Sequence, residues 1–304
     1  MTEFSVKIWG CRGSFPVSGI TNTKYGGATS CVEVKVGKRS VILDAGTGIT
    51  AAGHALNLVK NPRVYLFVTH AHFDHTLGLP YFNPMYRPDA TVYIWGPRNS
   101  RFPSFEATVD ALVGPPFHPV PLFEMLSKKV FADIGEADVV YFLKDSPTPV
   151  MLRPYHPDDF DKIPDESEVD FRVEVMRGYN HPKSGVNHYK VVAGDKSFVY
   201  ATDTEGYVSG DRRLLKFAQD ADLLIHDAMY TEERYVSMPV PTQGYGHSTV
   251  EIAAELARKA NVKTLGLFHH DPTSEDSYLD EVGEFARGLF ENSVVARDGL
   301  EFKL

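Results

Sequence analysis

The 304-residue sequence predicts a mixed α/β fold of the α+β kind, and three observations carry that expectation. Short apolar runs rich in β-branched and aromatic residues, such as Val64-Tyr65-Leu66-Phe67-Val68, read as buried strands. Stretches of helical periodicity, such as Val250, Ala253, Ala254 and Ala257, occur among them. Several of the strands end in metal-capable residues. Length alone would allow two domains, yet α/β units of this size often form one, so a single domain over 1–304 is expected, with a lid or insert region at about 80–170.

Composition bounds the function. Apolar content of 43% with 23% charged residues suits an ordinary protein with a sizeable core. No run of 18 apolar residues exists, and Met1-Thr2-Glu3-Phe4-Ser5-Val6-Lys7 lacks a basic start followed by an apolar core, so a cytoplasmic location is expected. Cys11 and Cys31 lack metal-type spacing and read as buried thiols without chemistry. The net charge of −9 speaks against extended contact with nucleic acid, where phosphates demand clustered Lys and Arg. A small anionic ligand stays compatible, because bound metal ions supply local positive charge.

Taken in order, Phe4 to Trp9 reads as a strand, and the glycines of Gly10-Cys11-Arg12-Gly13-Ser14 and Tyr25-Gly26-Gly27 as backbone held close to something or as long turns. Ser30 to Val36 and Ser40 to Leu43 form a hairpin through Gly37-Lys38. Asp44-Ala45-Gly46-Thr47-Gly48 opens a helix at Ile49; it lacks a P-loop lysine, so a structural role is expected, with Asp44 orienting a ligand histidine. A short helix begins at Thr76, and Thr91 to Trp95 is a strand. The Pro- and aromatic-rich segments at 101–105 and 114–122 flank a helix at Phe105 to Leu112 and read either as an apolar lid or as plain surface packing. Asp158, Asp159, Asp161, Asp165, Glu166, Glu168 and Asp170 mark a solvated acidic loop. Phe171 to Met176 is a strand leading to His181, and His188 to Ala193 pairs with Ser197 to Ala201. Leu223 to Asp227 is another strand, with His226 and Asp227 expected in supporting or core roles. Ser248 and Glu251 make a capping box for a helix to about Ala260, placing His247 at a helix start where a phosphate oxygen could bind. Lys263 to Phe268 is a strand, Glu275 to Phe290 a helix, and short strands follow Ser293.

The densest chemistry is Thr69-His70-Ala71-His72-Phe73-Asp74-His75. Alternate residues of an extended chain point the same way, so His70 and His72 can reach one point while Asp74 and His75 leave on another side. Four donors in so short a segment serve two neighbouring ions more naturally than one. A solvated or adventitiously metal-binding turn is the bland alternative, and a buried strand delivering the motif weakens it. Asp203 also ends an apolar strand, where uncompensated charge would be costly; a metal partner explains it and a helix cap is the rival.

These residues resemble the metallo-β-lactamase superfamily, defined by H-x-H-x-D-H and a four-layer αββα sandwich. The motifs Trp9-Gly10-Cys11-Arg12-Gly13-Ser14, Leu43-Asp44-Ala45-Gly46-Thr47-Gly48, Tyr200-Ala201-Thr202-Asp203, Gly246-His247-Ser248-Thr249 and Leu267-Phe268-His269 look like its ribonuclease Z-like and cyclic-nucleotide phosphodiesterase-like branch. The resemblance implies two divalent ions, Zn first with Mn or Fe accepting the same donors. By it His70, His72 and His181 hold one ion, Asp74, His75 and His269 the other, and Asp203 bridges both. His188 could replace His181 and His270 could replace His269; His181 is taken because it follows a strand, and His269 because Leu265 to Phe268 leads into it.

From two metals follows a hydroxide bridging them as nucleophile, with Asp74 orienting it and His247 binding the phosphate or protonating the leaving oxygen. The expected activity is a phosphodiesterase acting on a small phosphodiester such as a cyclic nucleotide, since no basic counterpart of the ribonuclease Z arm is evident. A tRNA 3′-processing endonuclease and a thioester or lactone hydrolase are the alternatives. The resemblance is also compatible with a homodimer.

Overall fold

The computed structural model describes residues 3–57, 59–182, 185–207 and 210–304; Met1 and Thr2 of the N-terminal reading lie outside them. The chain divides into two compact units, Met1–Asp133 with His269–Glu281 and Ala296–Lys303, and Ile134–Phe268 with Val282–Val295 and Leu304. Each is built around one sheet.

In the first unit β1 (Phe4–Gly10), β2 (Cys31–Val36), β3 (Arg39–Leu43), β4 (Arg63–Phe67), β5 (Thr91–Gly96) and β6 (Lys128–Asp133) join β15 (Glu301–Lys303) in the order β15-β1-β2-β3-β4-β5-β6. The expected hairpin forms, with Val34 opposite Val41 and Gly37 at φ 57 in its turn. From β3 onward the strands are parallel, which is why β4 is apolar along its length rather than alternating. Val64, Leu66 and Val68 pack with Ile42, Ile49, Ala52 and Phe82 in the core. Gly46 has the structural role expected of its turn: a Cβ there would lie 2.2 Å from the carbonyl oxygen of Asp74.

In the second unit β7 (Val139–Leu143), β8 (Val150–Leu152), β9 (Val169–Gly178), β10 (Val186–Ala193), β11 (Lys196–Ala201), β12 (Leu223–Asp227), β13 (Thr264–Phe268) and β14 (Ser293–Val295) take the order β14-β13-β12-β11-β10-β9-β7-β8. The β10–β11 hairpin turns at Gly194, φ 59, and β11 to β14 run parallel. Parallel strands share one C-terminal edge, so β11 and β12 deliver Asp203 and Asp227 to the same side of their sheet.

Three local expectations change. The helix after the metal motif is the single turn Phe73–Thr76, so Asp74 and His75 already stand on helical backbone. The capping box does not form: Thr249 is the cap, its side chain accepting from Ile252 N, while Ser248 Oγ donates to Thr204 O and Glu251 accepts from Glu232 N. Within 80–170, β5 and β6 belong to the first sheet and β7 and β8 to the second. The helix at Phe105–Leu112 is as expected, and Phe105, Val109, Val113 and Leu122 are buried in the first unit's core, whereas Phe117 and Phe123 are 78% and 79% exposed. Among the described residues no helix is long and apolar enough to cross a membrane.

The observed cap gives a direct check by urea denaturation. Thr249→Ala should cost about 1 kcal/mol, and Glu251→Ala no more than about 0.5 kcal/mol.

Candidate metal centre

In the first unit, β4 feeds Val68 and Thr69 into His70 and the extended residue His72 (ψ 152), and the helical turn then presents Asp74 and His75. The rings of His70 and His72 lie 4.3 Å apart, those of His70 and His75 4.4 Å, and those of His75 and His269 5.5 Å. Asp74 Oδ2 lies 3.0 Å from His269 Nε2 and 3.3 Å from His75 Nε2. All but His72 are buried.

The imidazoles are held from behind. Asp44, in the left-handed region at φ 65, accepts from Thr69 N at 2.7 Å and Thr69 Oγ1 at 2.9 Å, and from His75 Nδ1 at 2.8 Å through its other oxygen. His70 Nδ1 donates to Thr69 Oγ1 at 3.1 Å. Both rings are thereby fixed at Nδ1, which orients the Nε2 edge. The hydrogen bond that such an orienting role for Asp44 requires is present, and Thr69 adds to it. Ser14 N donates to Asp74 Oδ2 at 2.7 Å, and Gly13 is required beneath His269, whose ring would stand 2.5 Å from an added Cβ. Burial opposes ionisation of Asp74, yet His75 and His269 outweigh it and hold the carboxyl far below the usual carboxylate range.

The two sequence alternatives differ in surroundings. His270 Nε2 donates to Ala296 O at 2.8 Å and its ring meets Tyr25 edge-on, whereas His269 faces Asp74. In the second unit His181 Nδ1 donates to Gly246 O at 3.0 Å, and its Nε2 lies 3.5 Å from Asp203 Oδ2. His188 is wholly buried within β10; burial pushes its pKa down to about 3, leaving a neutral ring at pH 7.

Asp203 follows β11 in the left-handed region at φ 52 and accepts from Thr202 Oγ1 at 2.7 Å, so it caps no helix. Asp227 has the supporting role expected of it: Oδ2 accepts from His247 Nδ1 at 2.7 Å and Oδ1 from Met229 N and Ser248 N. The His247 ring lies 5.3 Å from that of His181. His226 turns inward, donating from Nδ1 to Asp227 O. Asn180, Glu205 and Tyr235 brace this region without any signal in the linear pattern, because their contacts are three-dimensional.

The donors fit divalent cations. Imidazoles and buried carboxyl groups, that of Asp74 held far below the usual carboxylate range, form a nitrogen and oxygen set that Zn, Mn and Fe all accept.

The sequence matches the family described as the metallo-beta-lactamase superfamily over residues 25–280. Ribonuclease Z of Picrophilus torridus is 27% identical over 321 residues, covering 100% of this chain and 96% of the relative. Ribonuclease Z of Haloarcula marismortui is 30% identical over 260 residues, covering 78% and 79%. The crystal structure of human tRNase Z, short form, aligns over 98% of both chains with a TM-score of 0.60 at 20% identity. The two-sheet α/β architecture therefore agrees with the αββα fold expected from the motifs.

These relatives correct one expectation. Net charge argues against extended nucleic-acid binding, yet the relative matched over the whole chain and the one matched over 78% of it are both ribonucleases. Net charge sums over the entire surface and does not decide the field at one site, where ligated cations dominate.

Asp44→Ala should weaken Zn²⁺ affinity roughly 10- to 100-fold in a chelator-competition titration, because His75 loses the partner at Nδ1. Unchanged affinity would show that Asp44 does not orient a ligand.

Proposed function

The chain belongs to the metallo-β-lactamase superfamily and its ribonuclease Z-like branch, and from that premise we propose that this metal-dependent hydrolase cleaves phosphodiester bonds in RNA at a 3′ trailer. The observation that carries the reading within the chain is the Asp227–His247 pair at 2.7 Å beside His181, a placement suited to proton delivery. The near-complete coverage of ribonuclease Z relatives supports RNA over the small phosphodiester expected from the sequence.

The proposed ligands are His70, His72 and His181 for one ion and Asp74, His75 and His269 for the other, with Asp203 serving both; each offers a nitrogen or a carboxylate oxygen. Two divalent ions, Zn by preference, would supply charge neutralisation at the phosphoryl oxygens and a nucleophile at neutral pH. The chain's own residues do the rest. Asp227 holds His247 by Nδ1, which leaves Nε2 to carry a proton to the departing oxygen. Asp44 and Thr69 keep the imidazoles of His75 and His70 in one orientation, and Ser14 N keeps one oxygen of Asp74 in place.

A small-phosphodiester substrate is the second reading, since the Asp227–His247 pair beside His181 would serve the leaving oxygen of a small phosphodiester as well as that of RNA. A cytoplasmic setting and a homodimer belong to the same proposal.

The test sets four substrates side by side with metal-loaded protein: an RNA carrying a 3′ trailer, bis-p-nitrophenyl phosphate, 3′,5′-cyclic AMP and a thioester. Trailer removal, lowered about 10²- to 10⁴-fold in His247→Ala at unchanged metal content, is the expected result. Cyclic AMP turnover without RNA cleavage would favour the second reading, and thioester turnover alone would overturn both.

A further inference from the structure

Glu205 lies two residues beyond Asp203 and takes no part in the mechanism above, yet its carboxylate is a junction within the second unit. Oε1 accepts from Gly244 N at 2.6 Å and from the hydroxyl of Tyr235, and Oε2 accepts from Gly246 N at 2.9 Å. Gly244 and Gly246 lead directly into His247. The backbone around Glu205 makes further ties. Asn180 Nδ2 donates to Thr204 Oγ1 at 2.7 Å and to Glu205 O, and Ser248 Oγ donates to Thr204 O at 2.7 Å. Gly246 O in turn accepts from His181 Nδ1 at 3.0 Å. Two segments, carrying His181 and His247, thus converge on Thr204-Glu205, which directly follow Asp203.

We propose that Glu205 is a positioning residue that fixes the Gly244–Gly246 turn, and through it His247, for proton delivery to the leaving oxygen. This rests on the reading of His247 as the proton donor. Gly246 has φ 91, and an added Cβ would meet Pro182 at 2.4 Å and His181 Nδ1 at 2.5 Å, so the turn has little room to settle elsewhere. A carboxyl group accepting from two backbone N–H groups and a hydroxyl, through both of its oxygens, is a directional clamp. Tyr235 keeps its proton to donate, since burial and then Glu205 push its hydroxyl well above the usual phenol range. Sequence spacing hides the device, because Glu205, Tyr235 and Gly246 are far apart along the chain.

Leaving-group dependence separates positioning of a proton donor from a general structural role. p-Nitrophenolate departs without a proton, whereas the ribose oxygen of an RNA linkage needs one. Metal-loaded wild type, Glu205→Gln, Glu205→Ala and His247→Ala are assayed on thymidine 5′-p-nitrophenyl phosphate and on an RNA with a 3′ trailer, with metal content and unfolding midpoint measured for each. Glu205→Ala should lose roughly 10- to 100-fold more activity on RNA than on the aryl ester, as His247→Ala does, with Glu205→Gln intermediate and metal content unchanged. Equal losses on both substrates in the Glu205 variants, beside a selective loss in His247→Ala, would overturn the positioning role. Equal losses in His247→Ala itself would instead overturn the proton-donor reading and the proposal with it. The near-isosteric Glu205→Gln keeps the comparison decisive if Glu205→Ala fails to fold.

Discussion

Carboxyl groups buried against imidazoles set the terms for the rest of this fold. Asp44 and Asp227 are 0% exposed and Asp203 1%. A carboxylate so enclosed is costly unless donors surround it. Asp44 meets that demand with Thr69 and His75, and Asp227 with His247, Ser248 and Met229. Each such pair fixes one nitrogen of a ring and so decides which edge is offered for chemistry. The same hydrogen bonds that make the burial tolerable therefore orient the site.

Backbone geometry places these groups. Asp44, Asp203 and His269 each follow a strand, and each adopts the left-handed conformation at φ 65, 52 and 62. That region is unfavourable for most L-residues and least so for short polar side chains. The strain, of order 1 kcal/mol or more per residue, is held by the rigid parallel strands that precede it. A chain leaving a strand in this conformation turns at once, leaving the functional side chain beside the strand end.

Much of this was legible in the sequence, for a physical reason. The H-x-H-x-D-H segment is compact enough for periodicity alone to argue a metal site, and Asp203 and His269 stand out because buried apolar strands lead into them. Edge strands escaped notice: β6 is half-buried along its length and β8 has only three residues, so neither shows a clear apolar pattern. The helix cap shifted from Ser248 to Thr249 because Ser248 is drawn to Thr204 O, a contact no local pattern encodes. The brace at Glu205 joins residues as far as 41 positions apart and was beyond reach for the same reason. Net charge misled about nucleic acid, since a whole-chain sum carries no information about where charge sits.

A centre of two ions in one chain has a distinctive metal stoichiometry. Protein stripped with chelator, reloaded with Zn²⁺ and freed of excess metal should contain two equivalents per chain by elemental analysis. His269→Ala, which removes a ligand from one proposed ion only, should retain about one. A single equivalent in the wild-type chain, unaffected by His269→Ala, would contradict the account.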